Sequence, residues 1–249
     1  MTEKKSPKKN ALFPMRLNKY LAHSGVCSRR KAAELVKDGL VFYNGKVERN
    51  PAILVSRTDK VKYKGKIVKP SRNYIYLLLN KPKNTITTMS DEKGRKTVWD
   101  IVESKVQDRI YPVGRLDRNT TGLLLLTNDG SLTKRLSHPR YKVKKIYHAS
   151  LDKPLKSEDM RKIEKGLTLE DGPVQVDSIE YVSDSPKTEV GITIHLGKNR
   201  IVRRIFESLG YEVIKLDRVY FGGLTKKDLP RGWSRFLSKQ EVIMLKHFS

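Results

Sequence analysis

Four consecutive leucines, Leu123–Leu126, stand between the triplet Thr120-Thr121-Gly122 and the turn-forming Asn128-Asp129-Gly130. A strand points alternate side chains to opposite faces, so an unbroken apolar run this short fits a central strand covered on both sides. The flanking segments supply the rest of such a sheet. "YIYLLLNKP" (74–82) reads as a second buried strand ended by Pro82, and "KIYHASL", "EVGITIHL" and "EVIKLDRVYFGG" read as further strands. Between them lie three helical segments. "NDGSLTKRLSHP" sets Leu132 and Leu136 one turn apart and stops at Pro139. "SEDMRKIEKGL" has Ser157 as its expected cap, with Glu158 and Asp159 favouring the first turn, and "NRIVRRIFESLGY" is closed by Gly210. Strands and helices mix without strict alternation, so the expected class is α+β with a mixed, mostly antiparallel sheet and flanking helices.

A different pattern precedes this. Leu17, Tyr20 and Leu21 fall on one helical face, and Gly25 ends that helix. Ser28 is placed to cap a second helix, whose apolar face is Ala32, Ala33, Leu35 and Val36. "VFYNGKV" then reads as a hairpin turning at Asn44-Gly45. Residues 15–69 are therefore expected to form a small module of their own. Residues 1–14 are expected to be a disordered basic tail, 68–74 a linker, and 70–249 the larger domain.

Charge separates the two parts. Of the 249 residues, the first 70 hold 18 Lys+Arg against 5 Asp+Glu, a net of +13 out of +25 for the whole chain. Such a balance attracts polyanions, nucleic acid above all. Arg29, Arg30 and Lys31 fall in the first turn of the second helix, where the helix dipole disfavours cations. Their clustering beside free backbone amides suits an RNA phosphate. No apolar run has membrane-spanning length and no secretory signal pattern is present, so a cytoplasmic protein without a membrane partner is expected. The single cysteine, Cys27, excludes an intrachain disulfide and a multi-cysteine zinc site. The five histidines lack ligand spacing, and no metal is expected.

In "VGRLDRNTTGLLLLTNDG" (113–130) one carboxylate, Asp117, sits between Arg115 and Arg118 in a loop leading into the leucine strand. Arginines beside a partly buried acid keep it ionised, which suits a nucleophile or charge stabiliser. The same arrangement also suits a structural ion pair, and local spacing leaves both open. No Ser-His-Asp, Cys-His or Walker-type phosphate-loop pattern competes.

The segment "GRLDRNTTGLLLLTNDG" resembles the central motif of pseudouridine synthases of the RsuA/RluB branch. "YLLLNKP" (76–82), "KKIYHASL" (144–151) and "LGKNRIVRRIFESLGYEVIKLDRVYFGGL" (196–224) resemble the branch's other motifs, in order. "RLNKYLA", "SRRKAAELVKDGLV" and "NGKV" resemble the small RNA-binding fold of the ribosomal-protein S-four type, the usual leading module. The resemblance spans residues 15 to about 240. It implies Asp117 as the catalytic aspartate and Tyr147 as the aromatic packing on a flipped uracil. It also implies Arg203 as the basic partner of Asp117, with Arg115 and Thr121 shaping the loop. Arg29, Arg30, Lys31, Arg115 and Arg204 are the expected RNA contacts. Members often carry a polar residue where this chain has Ile201, which removes a polar role there. The implied reaction turns uridine into its C-glycoside isomer without cofactor, group donor or metal. "GLTLEDGPVQV" (166–176) and "LPRGWSRFL" (229–237) look more like the large-subunit RluB type, which points to 23S rRNA and, by family, a monomer. The alternatives are a 16S rRNA enzyme and a catalytically inactive rRNA-binding assembly factor.

Overall fold

The leucine run lies at the centre of a large mixed sheet in a computed structural model that describes residues 13–71 and 73–247. The chain divides into two compact units, the first ending at Tyr74 and the second beginning at Ile75. Most of the expected basic tail lies outside the described residues.

In the first unit, β1 (Met15–Arg16) leads directly into α1 (Leu17–His23), and α2 is Arg29–Lys37. Gly25, with φ of +77°, breaks the chain between the helices, and the Ser28 hydroxyl accepts from Lys31 N at 3.2 Å as the α2 cap. The expected hairpin is β2 (Val41–Tyr43) and β3 (Lys46–Glu48), with Asn44 and Gly45 both left-handed at its turn. After β4 (Leu54–Val55), which pairs with β1, a second hairpin follows: β5 (Val61–Tyr63) and β6 (Lys66–Val68). Its turn is Lys64-Gly65, again left-handed at both residues, so "YKGK" repeats the geometry of "YNGK". Lysines at its turn and exposed positions obscure the pattern in the sequence. The two hairpins make one antiparallel sheet, in the order β3-β2-β5-β6. Leu17, Tyr20, Leu21, Leu35, Val36 and Val41 form the core of this unit. Part of the expected linker belongs to it as well: Val68 is in β6, and Ser71 N donates to His23 O at 2.9 Å.

The second unit opens with β7 (Tyr76–Lys81), α3 (Trp99–Val102) and β8 (Tyr111–Pro112). β9 (Thr121–Thr127), α4 (Gly130–Ser137), β10 (Lys145–Leu151) and α5 (Ser157–Lys165) follow. The hairpin of β11 (Leu167–Leu169) and β12 (Gly172–Val174) leads to β13 (Ser178–Tyr181), β14 (Glu189–Ile194) and α6 (Ile201–Glu207). The chain ends with β15 (Val213–Phe221), β16 (Leu224–Thr225), β17 (Ser234–Phe236) and α7 (Lys239–Lys246). The main sheet runs β13-β14-β10-β15-β9-β7-β17, with β16 on β15 and β8 on β9. Its pairings are antiparallel except β9 with β15, so the expected α+β class with a mixed, mostly antiparallel sheet is what the chain adopts.

β9 is buried along both faces. Leu124 and Leu126 join Leu77, Leu79, Ile205 and Phe206 in one core, while Leu123 and Leu125, equally buried, point the other way. Each such leucine contributes roughly 1.5–3 kcal/mol of apolar burial. The cap of α5 differs from expectation. Ser157 is its first helical residue, and Lys156 holds the N-cap position without a side-chain bond. The two acidic residues of the first turn offset the helix dipole there instead.

Candidate active site

One cross-strand row of the main sheet organises the site. Lys81 of β7 is in register with Gly122 of β9, Gly122 with Arg218 of β15, Arg218 with Tyr147 of β10, and Tyr147 with Ile192 of β14. Residues opposite one another in a sheet project on the same face, so Lys81, Arg218 and Tyr147 share one side. Gly122 is glycine for a geometric reason. Its φ is +104°, and a Cβ there would lie 2.3 Å from Arg218 O and 2.7 Å from Asp217 Oδ1. The Thr-Thr-Gly triplet thus marks where β9 meets β15 in the sheet's parallel pair.

The loop before Gly122 carries Asp117, and three tethers hold it. Thr87 Oγ1 donates to Leu116 O at 2.6 Å and accepts from Leu116 N at 3.2 Å. Lys81, fully buried, donates from Nζ to Thr85 O at 2.7 Å, Pro82 O at 3.1 Å and Arg118 O at 3.3 Å. Burial lowers its pKa to about 8, the negative Asp117 opposes that shift, and the cationic Arg231 adds to it. At the far end, Thr121 Oγ1 donates to Asp217 Oδ1 at 2.8 Å. Asp217 also receives Arg231 Nη1 at 2.8 Å and is paired with Lys226. Burial alone would raise its pKa; the hydrogen bonds from Arg231, Lys226 and Thr121 prevail and hold it at about 2. Arg231 further donates to Asn80 Oδ1 at 2.7 Å, so this network ties β7, β9 and β15 together beneath the loop.

A cleft of about 710 Å³ opens above the row, and its walls include Asp117, Arg115, Tyr147, Arg200, Lys145 and Arg218. Asp117 is 38% exposed, and Arg200 Nη1 lies 4.0 Å from its Oδ2. Tyr147 is 8% exposed, its body packed in the core. Lys145 donates to His195 O at 2.8 Å and Leu196 O at 3.2 Å. Burial, and then the neighbouring Arg218 charge, lower its pKa to about 8.

Asp117 and Arg115 of one loop therefore meet Tyr147, 30 residues on from Asp117, in the wall of one cleft. The expected arginine partners of Asp117 do not all arrive. Neither Arg115 nor Arg118 forms an ion pair with it, and neither does Arg203; among the described residues the guanidinium that pairs with it is that of Arg200. Arg203 lies one turn further along α6, 9% exposed, and donates from Nη1 to Val213 O. Its pKa is lowered by burial and by Arg200, against the opposing pull of Asp117. Arg204 turns elsewhere. It pairs with Asp171 at 3.0 Å and donates to Asn199 O at 2.9 Å, which occupies the guanidinium expected to contact RNA. Ile201, 5% exposed, is a core residue. Sequence reasoning missed Lys81, Lys145, Arg200 and Arg218. All four lie within the recognised motifs, but their roles depend on strand register and on the left-handed turn at Arg200, φ +46°.

In the first unit, Arg29, Arg30 and Lys31 are exposed in the first turn of α2, which holds no acidic residue. Lys31 pairs with Glu34 at 2.9 Å, while Arg29 and Arg30 form no ion pair among the described residues.

Residues 75–208 match the family model described as RNA pseudouridylate synthase, and residues 15–61 match the S4 domain. The chain belongs to the RNA pseudouridylate synthase family, enzymes that isomerise uridine to pseudouridine. It is 43% identical to the ribosomal large subunit pseudouridine synthase B of Bacillus subtilis, over 93% of this chain and 95% of that one. An RNA pseudouridine synthase of Aquifex aeolicus is 38% identical over 94% of each chain. A crystal structure of a pseudouridylate synthase is similar with a TM-score of 0.67 and 26% identity, covering 93% of this chain and 99% of its own. Among the described residues no helix is long and apolar enough to cross a membrane, and no cluster of potential metal ligands occurs.

Proposed function

We propose that this chain converts a uridine of large-subunit (23S) ribosomal RNA into pseudouridine, with Asp117 as the catalytic carboxylate and Tyr147 as the base platform. The observation that carries the reading is that Asp117 and Tyr147, 30 residues apart in sequence, share one cleft. The large-subunit assignment is supported by the 43% identity to the Bacillus enzyme of that name.

The target uridine is extruded from its stack at a cost of a few kcal/mol. Stacking on Tyr147 returns ~1–3 kcal/mol. The N1–C1′ bond breaks, the freed uracil turns in place, and C5 bonds to C1′. C5 then loses its proton and N1 gains one, so atoms and electrons balance within the substrate. Asp117 acts first, either by adding to C1′ or by taking the C2′ proton. Arg200 holds the carboxylate toward the cleft. Arg203 is a positioning residue that anchors α6 to Val213 O. The first unit binds RNA backbone through Arg29, Arg30 and Lys31, and Arg115 handles the extruded nucleotide from the loop itself.

Asp117→Asn should abolish isomerisation, at least a thousandfold in rate by order of magnitude, while RNA affinity stays within about twofold. Pseudouridine formation at the wild-type rate by this variant would sink the reading. Mapping pseudouridine in 23S and 16S rRNA from cells with and without the gene decides the subunit.

A further inference from the structure

We infer that Arg218 reads the uracil, donating from its guanidinium to a ring carbonyl of the base stacked on Tyr147, both before and after the base turns. This inference rests on the proposed function and adds a residue to it that selects the base.

Arg218 is in direct register with Tyr147 across β10 and β15. Residues paired in a regular ladder have Cβ atoms about 5 Å apart on one face of the sheet; here the register shifts between Ile146 and Tyr147, yet Arg218 and Tyr147 both line the cleft. A planar base lying on the Tyr147 ring therefore presents an edge to the guanidinium beside it. On the other side of Arg218, Gly122 contributes no side chain to the row.

The guanidinium is pre-oriented. Nε donates to Leu123 O at 2.7 Å, and the Phe221 ring lies 4.8 Å from the guanidinium carbon. Arg218 is only 3% exposed, yet Nη2 is buried with no acceptor. A donor removed from water without a partner is costly and uncommon in native proteins. Here it occurs in the wall of the cleft that holds Asp117.

The ligand chemistry follows from what the donor requires. Arginine has N–H groups and no acceptor. It therefore favours a base edge with a carbonyl and disfavours one with an amino group; where the carbonyl is that of C4, this separates uracil from cytosine. The reaction adds a second constraint. When the uracil turns so that C5 replaces N1 at the sugar, C2 and C4 exchange places. A carbonyl oxygen then occupies the same position in substrate and product. One fixed donor can serve both states, and no side-chain movement is needed between bond cleavage and re-formation.

The test uses full-length protein and large-subunit rRNA transcripts made with uridine, with 4-thiouridine or with 2-thiouridine. Sulfur is a weak acceptor, so each thio-transcript removes one candidate bond. Wild type should lose about tenfold in kcat/KM on at least one thio-transcript relative to the uridine transcript. Arg218→Met should be about tenfold slower on the uridine transcript, yet lose little more on that same thio-transcript. Any general effect of sulfur on RNA folding strikes both proteins alike and cancels. Equal thio-losses in wild type and variant would overturn the assignment. A salt slope of RNA binding lowered by about one contact in Arg218→Met would also overturn it, since that marks a phosphate partner. If the methionine variant does not fold, Arg218→Lys, which keeps the charge but not the planar donor fork, takes its place in the same comparison. A wild type inactive on the uridine transcript would sink the proposed function, whereas an active wild type without coupling would sink only the role of Arg218.

Discussion

At the scale of single residues, the site depends on what Gly122 lacks and what Asp217 retains. Gly122→Ala would force a Cβ to within 2.3 Å of the Arg218 carbonyl, in a left-handed conformation that alanine resists. Unfolding in urea should show a loss of about 2–4 kcal/mol. Asp217 offers a pH signature. Its folded pKa of about 2 lies below the ordinary carboxylate value of 3.8, so its contribution is present above pH 4 and is lost as the pH falls through about 2. The shift corresponds to about 2 kcal/mol at neutral pH. Asp217→Asn should lower stability at pH 7 by at least that order, and the gap to wild type should narrow as the pH approaches 2, measured by chemical denaturation across the range. An unchanged gap would assign the network's stability to packing rather than charge.

At the scale of elements, β9 and α2 show two ways in which a local pattern determines structure. β9 is hydrophobic on both faces because the sheet is covered on both, and Leu125→Ala should cost about 2–5 kcal/mol in stability. The α2 start relies on one hydroxyl. Ser28→Ala removes the acceptor of Lys31 N and should cost about 1 kcal/mol of stability in the first unit. It also loosens the turn that carries Arg29 and Arg30, so RNA affinity should fall together with the helix signal in circular dichroism. Helix α6 shows where reading an element from its sequence fails. Arg200, Arg203 and Arg204 lie within five residues, yet they face Asp117, Val213 and Asp171 respectively. Spacing along a helix gives the angle between side chains, not what each will meet.

At the scale of the whole molecule, the excess charge and the cleft lie in different units. The first unit holds a small core and much of the excess positive charge, and the second holds the cleft. A chain beginning at Ile75 should retain the fold of the second unit, since its sheet and core are complete within it. Its binding to rRNA should be weaker and its salt dependence shallower, because fewer phosphates are neutralised. Filter binding from low to high salt measures this; an unchanged slope would assign the RNA backbone contacts to the second unit.

The linear chain by itself carried the class of fold and the burial of β9; its expected boundary at residue 70 falls five residues before the second unit begins at Ile75. It carried them because hydrophobic period, caps, turn residues and charge are local properties. Its motifs pointed to Asp117 and Tyr147, which the structure sets in the wall of one cleft. The linear chain did not carry the second hairpin, whose lysines mask its alternation, nor the partners of Asp117. Those depend on register. Arg218 comes beside Tyr147 only when β10 and β15 pair as they do, Lys81 reaches Arg118 O only when β7 lies next to β9, and Arg200, the left-handed residue just before α6, pairs with Asp117. Contacts between residues dozens of positions apart are decided by the packing of the sheet as a whole, and only the tertiary structure records that packing.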